Sequence, residues 1–209
     1  MIKRFNVMNI EAVLQYLKRN YLFVGLCLVL LVGIFIGSLC AGHTIATGSP
    51  QLSELFQSYI ARRAAQGFWL NTLHSLAGLL PYLLFAYISG LFVWGMPVVP
   101  CTPFAYGLGL GAFCGYLYAT YGLKGTAFSL LTRIPPGFLT AILLAVASRD
   151  SFNFSKSLLY CHIRNQAIVL PRDRFKQYHI RYGIYFLLLL LISAVDSLLC
   201  VVFLDVFGF

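Results

Sequence analysis

"AYGLGLGAFCGYLY", residues 105–118, decides how this chain is read. Glycine recurs at Gly107, Gly109, Gly111 and Gly115, with Ala112 among them. Gly107-x-Gly109-x-x-Ala112 has the outline of a dinucleotide-binding fingerprint, which needs a strand before the glycines and a helix opening after them. Gly107, Gly111 and Gly115, by contrast, repeat every four residues and so share one face of a helix. The solvent around the stretch selects between a phosphate cradle and a packing seam.

Of the 209 residues, 60 % are hydrophobic and 10 % charged, with a mean hydropathy of +0.83. Soluble domains carry about 25 % charged residues. So few charges do not cover a water-facing surface, and the composition is that of a polytopic membrane protein. An open glycine turn inside a bilayer would leave backbone groups unsatisfied. The glycines are therefore read as a seam along which another helix approaches closely, and Gly33 and Gly37 repeat the device nearer the N-terminus. Periodicity leaves open whether the partner helix is internal or belongs to another subunit.

A helix needs about 20 mostly apolar residues to cross the hydrocarbon core. Five segments qualify, at 21–41, 76–94, 103–121, 125–148 and 184–207, so the expected fold is all-α with five transmembrane helices. The first is too long for a signal-peptide core and is read as retained. Lys3, Arg4, Lys18 and Arg19 precede it. Arg149, Lys156, Arg164, Arg172, Arg174, Lys176 and Arg181 lie between the fourth and fifth spans. Eleven basic residues on one side against Arg62, Arg63 and Lys124 on the other predict a cytoplasmic N-terminus and an outside C-terminus. The net charge of +9 is thereby a matter of topology, not of nucleic-acid binding.

The expected organisation is a single integral membrane domain over 1–209. It has a cytoplasmic amphipathic segment at 1–20, an outer loop at 42–75 and a basic cytoplasmic loop at 149–183. Within the outer loop, "SPQLSELFQSYIARRA" (49–64) places Leu52, Leu55, Phe56, Tyr59 and Ile60 on one helical face, with Ser49 and Pro50 as cap and first turn. It reads as an interfacial helix on the outer leaflet, as the N-terminal segment does on the inner one, with the lipid bilayer as partner.

Two ionisable residues fall within spans, Arg133 and Asp196, and each should face protein or water. Arg133 lies eight residues inward from Gly125, about 12 Å at helical rise, and Asp196 nine residues inward from Asp205, about 13 Å. The two spans run antiparallel, so an Arg133–Asp196 pair is geometrically allowed, either as a pin between helices or as part of a polar pathway. Beside Arg133, Pro135 and Pro136 in "RIPPG" should bend or break the fourth helix. Pro81 gives a milder kink in the second span.

No enzyme constellation is present. His43, His74, His162 and His179 are scattered, and the six cysteines show no C-x-x-C spacing, so neither a metal site nor a cofactor is expected.

Two runs, "LLPYLLFAYISGLFVWGMPVVP" (79–100) and "YGLGLGAFCGYLYATYGLKGTAFSLLTRIPPGFLTAILLAVA" (106–147), together resemble the stage II sporulation protein M family. The carried features are Gly95-x-Pro97, Gly107 with Gly111, Tyr121-Gly122 with Gly125, and the Pro135-Pro136 pair. Many members carry a basic residue where Tyr106 stands, and some an acidic one where Thr140 stands. The resemblance implies a non-enzymatic membrane scaffold whose exported partners cut peptidoglycan, as in forespore engulfment. On that reading Arg62 and Arg63, on the outer helix, are the docking surface for wall hydrolases. The other reading is a transport subunit: Arg133, Asp196 and the broken helix would form a path, and a helix in 151–174 would meet a cytoplasmic ATPase.

Overall fold

The computed structural model describes residues 20–46, 50–163 and 172–207. The described residues form six helices: α1 (Tyr21–Ala46), α2 (Pro50–Ala65), α3 (Phe68–Leu91), α4 (Cys101–Thr132), α5 (Ile134–Ile163) and α6 (Arg172–Phe207). The 1–19 segment and Ser49 lie outside the described residues, as do the side chains of Leu52, Phe56 and Ile60. By length and apolarity, 21–44, 68–91 and 173–203 can each cross a membrane, and α4 with α5 passes the same test as a pair bent by 52°.

The glycine stripes are where α1 and the first half of α4 meet. A Cβ on Gly107 would lie 2.4 Å from the Leu30 carbonyl oxygen, on Gly111 2.0 Å from that of Ile34, and on Gly115 2.8 Å from that of Ser38. From the other side, Gly33 and Gly37 would clash at 2.5 and 2.2 Å with the carbonyl oxygens of Phe104 and Leu108. Each step of four along α1 meets a step of four along α4, so the two helices run parallel with their backbones in contact. The opposite face of α1, with Leu28, Leu31, Val32, Phe35 and Leu39, is exposed. Such an apolar outer face suits hydrocarbon, not water.

α4 reverses at Gly122, whose backbone (φ 57°, ψ −134°) lies in a region that residues with a side chain rarely enter. Beyond it a Cβ on Gly125 would fall 2.2 Å from the Leu117 carbonyl oxygen, a contact that requires the chain to fold back. Phe128 then packs with Phe113, Tyr116 and Leu117 of the first arm. The second arm ends at Thr132. Arg133 caps it through a 2.9 Å bond from its N–H to the Ser129 carbonyl, and α5 starts at Ile134. Pro135 and Pro136 thus sit in the first turn of a new helix, where the missing N–H groups have no intrahelical partner to lose.

The interior is studded with small polar side chains. Asn71, Thr72, Ser75 and Ser89 of α3, Ser148, Ser151 and Ser155 of α5, and Ser193 and Ser197 of α6 are all buried. Their hydroxyls mostly bond to carbonyls, as Ser155 does to Phe92 (2.8 Å) and Ser197 to Phe68 (3.0 Å). Small residues at these positions let the helices approach closely.

Three helix boundaries differ from those expected. The second apolar helix begins at Phe68, not at 76, because Asn71, Thr72 and Ser75 depress its hydropathy while facing inward. The 149–183 stretch, expected as a loop, is helical as far as Ile163 and again from Arg172. No glycine or proline interrupts it before Pro171, and Phe154, Tyr178 and Tyr182 carry the buried stripe through both extensions. The outer stretch 42–75 is likewise mostly helix.

Candidate functional site

Asp196 points from α6 into the bundle and is 2 % exposed. Its Oδ1 accepts a bond from Arg133 Nη1 at 3.1 Å. Its Oδ2 accepts from Arg63 Nη2 at 2.5 Å, from Ser75 Oγ at 2.6 Å and from the same Arg133 nitrogen at 3.2 Å. One carboxylate therefore binds two guanidiniums, from α2 and from the α4–α5 break, with a hydroxyl from α3. The structure brings together Arg133 and Asp196, the two charges that the sequence reading pairs, and adds a third, Arg63 of α2.

Arg63 corrects the sequence reading. Grouped with Arg62 as docking surface, it is 7 % exposed, with its charge turned inward to Asp196, whereas Arg62 is exposed. The reason is helical phase. Arg63 follows Tyr59 by four residues and shares its inward face. The Tyr59 ring stands 5.2 Å from the Arg63 guanidinium and makes an edge contact with Phe113 at 5.9 Å. Phe113 lies in turn 5.6 Å from the Arg133 guanidinium. The tight α2–α3 corner is held by Asn71, whose Nδ2 donates to the carbonyls of Arg63 (2.9 Å) and Gln66 (3.2 Å).

The groups bonded to Asp196 are two arginines, which do not give up protons in proteins, and a serine. The cluster is built to hold charge, not to relay protons. Next to it a cleft of about 390 Å³ opens under α2 between α3 and α4, with Arg133 on its floor.

Tyr106 and Thr140 meet at the helix break. The Tyr106 hydroxyl donates to the Gly137 carbonyl at 3.0 Å and the Thr140 hydroxyl to the Pro136 carbonyl at 2.8 Å. Two neutral hydroxyls occupy adjacent carbonyls of the first turn of α5.

A second polar hub, absent from the sequence reading, lies at the other end of the bundle. Ser151 Oγ donates to the Ala86 carbonyl at 2.7 Å and stands against the Tyr178 and Tyr182 hydroxyls. Those tyrosines also donate to the carbonyls of Tyr87 (2.9 Å) and Ala147 (3.0 Å), joining α3, α5 and α6. Ser151, Tyr178 and Tyr182 stand in charged stretches that read as a loop, although Tyr178 and Tyr182, four residues apart, share a helical face.

His74 and His179 bond to carbonyls one turn back on their own helices, at 3.0 and 2.9 Å, and the side chain of His162 lies outside the described residues. Among the described residues no group of three His, Cys, Asp or Glu side chains stands close enough to share a metal ion.

The family model described as Stage II sporulation protein M matches residues 26–200, most of the chain and all of the geometry above. No curated protein and no solved structure matches it.

Proposed function

The chain belongs to the Stage II sporulation protein M family, and from that membership we propose a non-enzymatic, multi-pass scaffold of the cell membrane. It recruits or anchors envelope partners that remodel peptidoglycan, as in engulfment of a spore. The family match is the observation that carries the reading. The internal chemistry agrees with it, since the buried Asp196 carboxylate is held by two arginines and a serine, a set that fixes helices and does not relay protons.

The fold supports five crossings with the N-terminus in the cytoplasm and the C-terminus outside. α1 and the first arm of α4 run parallel, and the reversal at Gly122 supplies a return through α5. α6 then runs antiparallel to α5, since Arg181 bonds Asp150 near the start of one and Arg133, at the start of the other, bonds Asp196. This orientation turns α2 outward, with Arg62 exposed beside Glu54 and Gln57 as a polar docking edge.

The test is recovery of the tagged chain from native membranes in mild detergent, with crosslinking and mass spectrometry. Exported wall hydrolases should come with it and be lost on Arg62→Glu, while insertion is unchanged. The 52° bend at Arg133 favours a transport subunit as the second reading. An ATPase crosslinked within 151–174, with Arg62→Glu silent, would replace the scaffold by it.

A further inference from the structure

We propose that the cleft under α2 binds the phosphate headgroup of an anionic lipid, held by Arg133 and admitted sideways between α3 and α4. The first argument is charge. Arg63 and Arg133 share the single carboxylate of Asp196, so the cluster keeps one positive charge that no described side chain within ion-pair distance balances. An uncompensated charge among packed helices is costly, and an anion on the open side of the cluster removes that cost.

Geometry identifies the arginine that takes it. Arg63 is closed off, whereas a quarter of the Arg133 side chain is accessible, on the floor of the cleft. Arg133 uses only Nη1 on Asp196. A guanidinium carries five N–H donors in a planar fork suited to phosphate oxygens, so its other nitrogens are available for that geometry. Tyr82, whose ring packs edge-on against Tyr106, places its hydroxyl at the mouth as a further donor.

The walls give the other half of the ligand. At about 390 Å³ the cleft has the size of a small-molecule site. Its apolar side chains, Leu55, Leu79, Leu110 and Phe113, accept hydrocarbon, and His74 and three tyrosines share the lining with them. It opens where α3 and α4 face each other with exposed glycines, Gly78 and Gly109. A Cβ on Gly78 would meet nothing within 4 Å, and one on Gly109 only the Tyr82 hydroxyl at 3.8 Å. Along α1 the glycines of α4 close a seam; here Gly109 leaves a gap on the exposed surface of helices read as membrane-spanning, a surface that lipid would cover. A ligand entering there carries a hydrocarbon chain.

The inference rests on the reading of the chain as membrane-spanning, but not on its partners. Its test is native mass spectrometry of the purified full chain titrated with phosphatidylglycerol or, separately, phosphatidylcholine of the same acyl chains. A parallel series adds inorganic phosphate. Phosphatidylglycerol should be retained at least tenfold more than phosphatidylcholine. Gly109→Leu, which fills the mouth without touching the ion cluster, should abolish that preference, as should Arg133→Gln if that variant folds. Equal retention of the two lipids overturns the proposal, as does a Gly109→Leu chain that keeps the preference. Inorganic phosphate that displaces phosphatidylglycerol at equal concentration overturns the lipid assignment in favour of a free anion. Loss of partner recovery in the scaffold experiment leaves each of these outcomes unchanged.

Discussion

The guanidinium of Arg63 lies 2.5 Å from the carboxylate of Asp196, so the amphipathic helix α2 is tied by charge to the last helix of the bundle. A helix resting on a leaflet has no such tie. Its face toward the bundle carries Tyr59 and Arg63, its open face carries Arg62, and the orientation of the open face is inherited from the buried bond. Any partner that reads α2 therefore reads a surface whose position depends on Asp196.

Removing either partner should be costly, and unequally so. Arg63→Met leaves Asp196 bonded to Arg133 and Ser75. Its cost should fall at the low end of the roughly 3–5 kcal/mol expected for breaking a buried pair. Asp196→Asn strands two like charges and should cost more. The double variant should be less destabilised than the sum of the two, because Arg63→Met removes one of the charges that Asp196→Asn strands. Unfolding of the four proteins in one detergent, followed by helical circular dichroism, measures the coupling. Equal and additive losses would show that the three charges do not act as a unit.

The seam between α1 and α4 makes a sharper contrast between neighbouring glycines. Gly111→Ala puts a methyl group 2.0 Å from the Ile34 carbonyl oxygen, and backbone cannot step aside. The two helices must separate, at a cost of about 1–3 kcal/mol or more. Gly109→Ala meets its nearest atom at 3.8 Å and should lose nothing, with a gain of up to about 1 kcal/mol from helix propensity. Thermal unfolding of the pair in detergent should order them Gly109→Ala, wild type, Gly111→Ala.

At the inner hub, Ser151→Ala removes the donor to the Ala86 carbonyl, while Tyr178 and Tyr182 keep their own carbonyl partners. The expected loss is about 0.5–1.5 kcal/mol, the net worth of one bond, because the Ala86 carbonyl keeps the Ser89 hydroxyl at 3.1 Å. Gly90→Ala, whose methyl group would sit 2.3 Å from the Tyr178 hydroxyl, should disturb the same junction from the α3 side. If Ser151→Ala unfolds at the wild-type temperature, the hub does not bear on stability.

The features legible in the sequence are those set by local repeats. Glycines every four residues mark a face, and helical rise counted from the span ends puts Arg133 and Asp196 at one depth. Arg63 escaped because two adjacent arginines at the end of an amphipathic segment read as one solvated pair. The signal was present in phase: Arg63 continues the Leu52–Phe56–Tyr59 stripe, and Arg62 does not. Helix ends were legible only where hydropathy and burial agree. They part at Asn71 and Ser75, polar residues facing inward, and in the extensions beyond 148 and before 184, where charged surfaces cover a continuing apolar stripe.

The reversal at Gly122 divides five crossings from three or four, and it can be tested chemically. If α4 turns back there, Lys124 lies at the outer end of the bundle and Lys156, near the inner end of α5, on the opposite side. With the six native cysteines replaced by alanine, Lys124→Cys should react with a membrane-impermeant maleimide in intact cells, and Lys156→Cys only after permeabilisation. Labelling of both from one side would mean that the α4–α5 pair does not cross between them. The turn itself should resist substitution: with φ 57° and ψ −134° it lies outside the left-handed helical region that Asn tolerates, so Gly122→Ala and Gly122→Asn should both lose about 1–3 kcal/mol to backbone strain. No side chain stands within 4 Å of the added methyl, so a loss on Gly122→Ala reports backbone strain and not crowding.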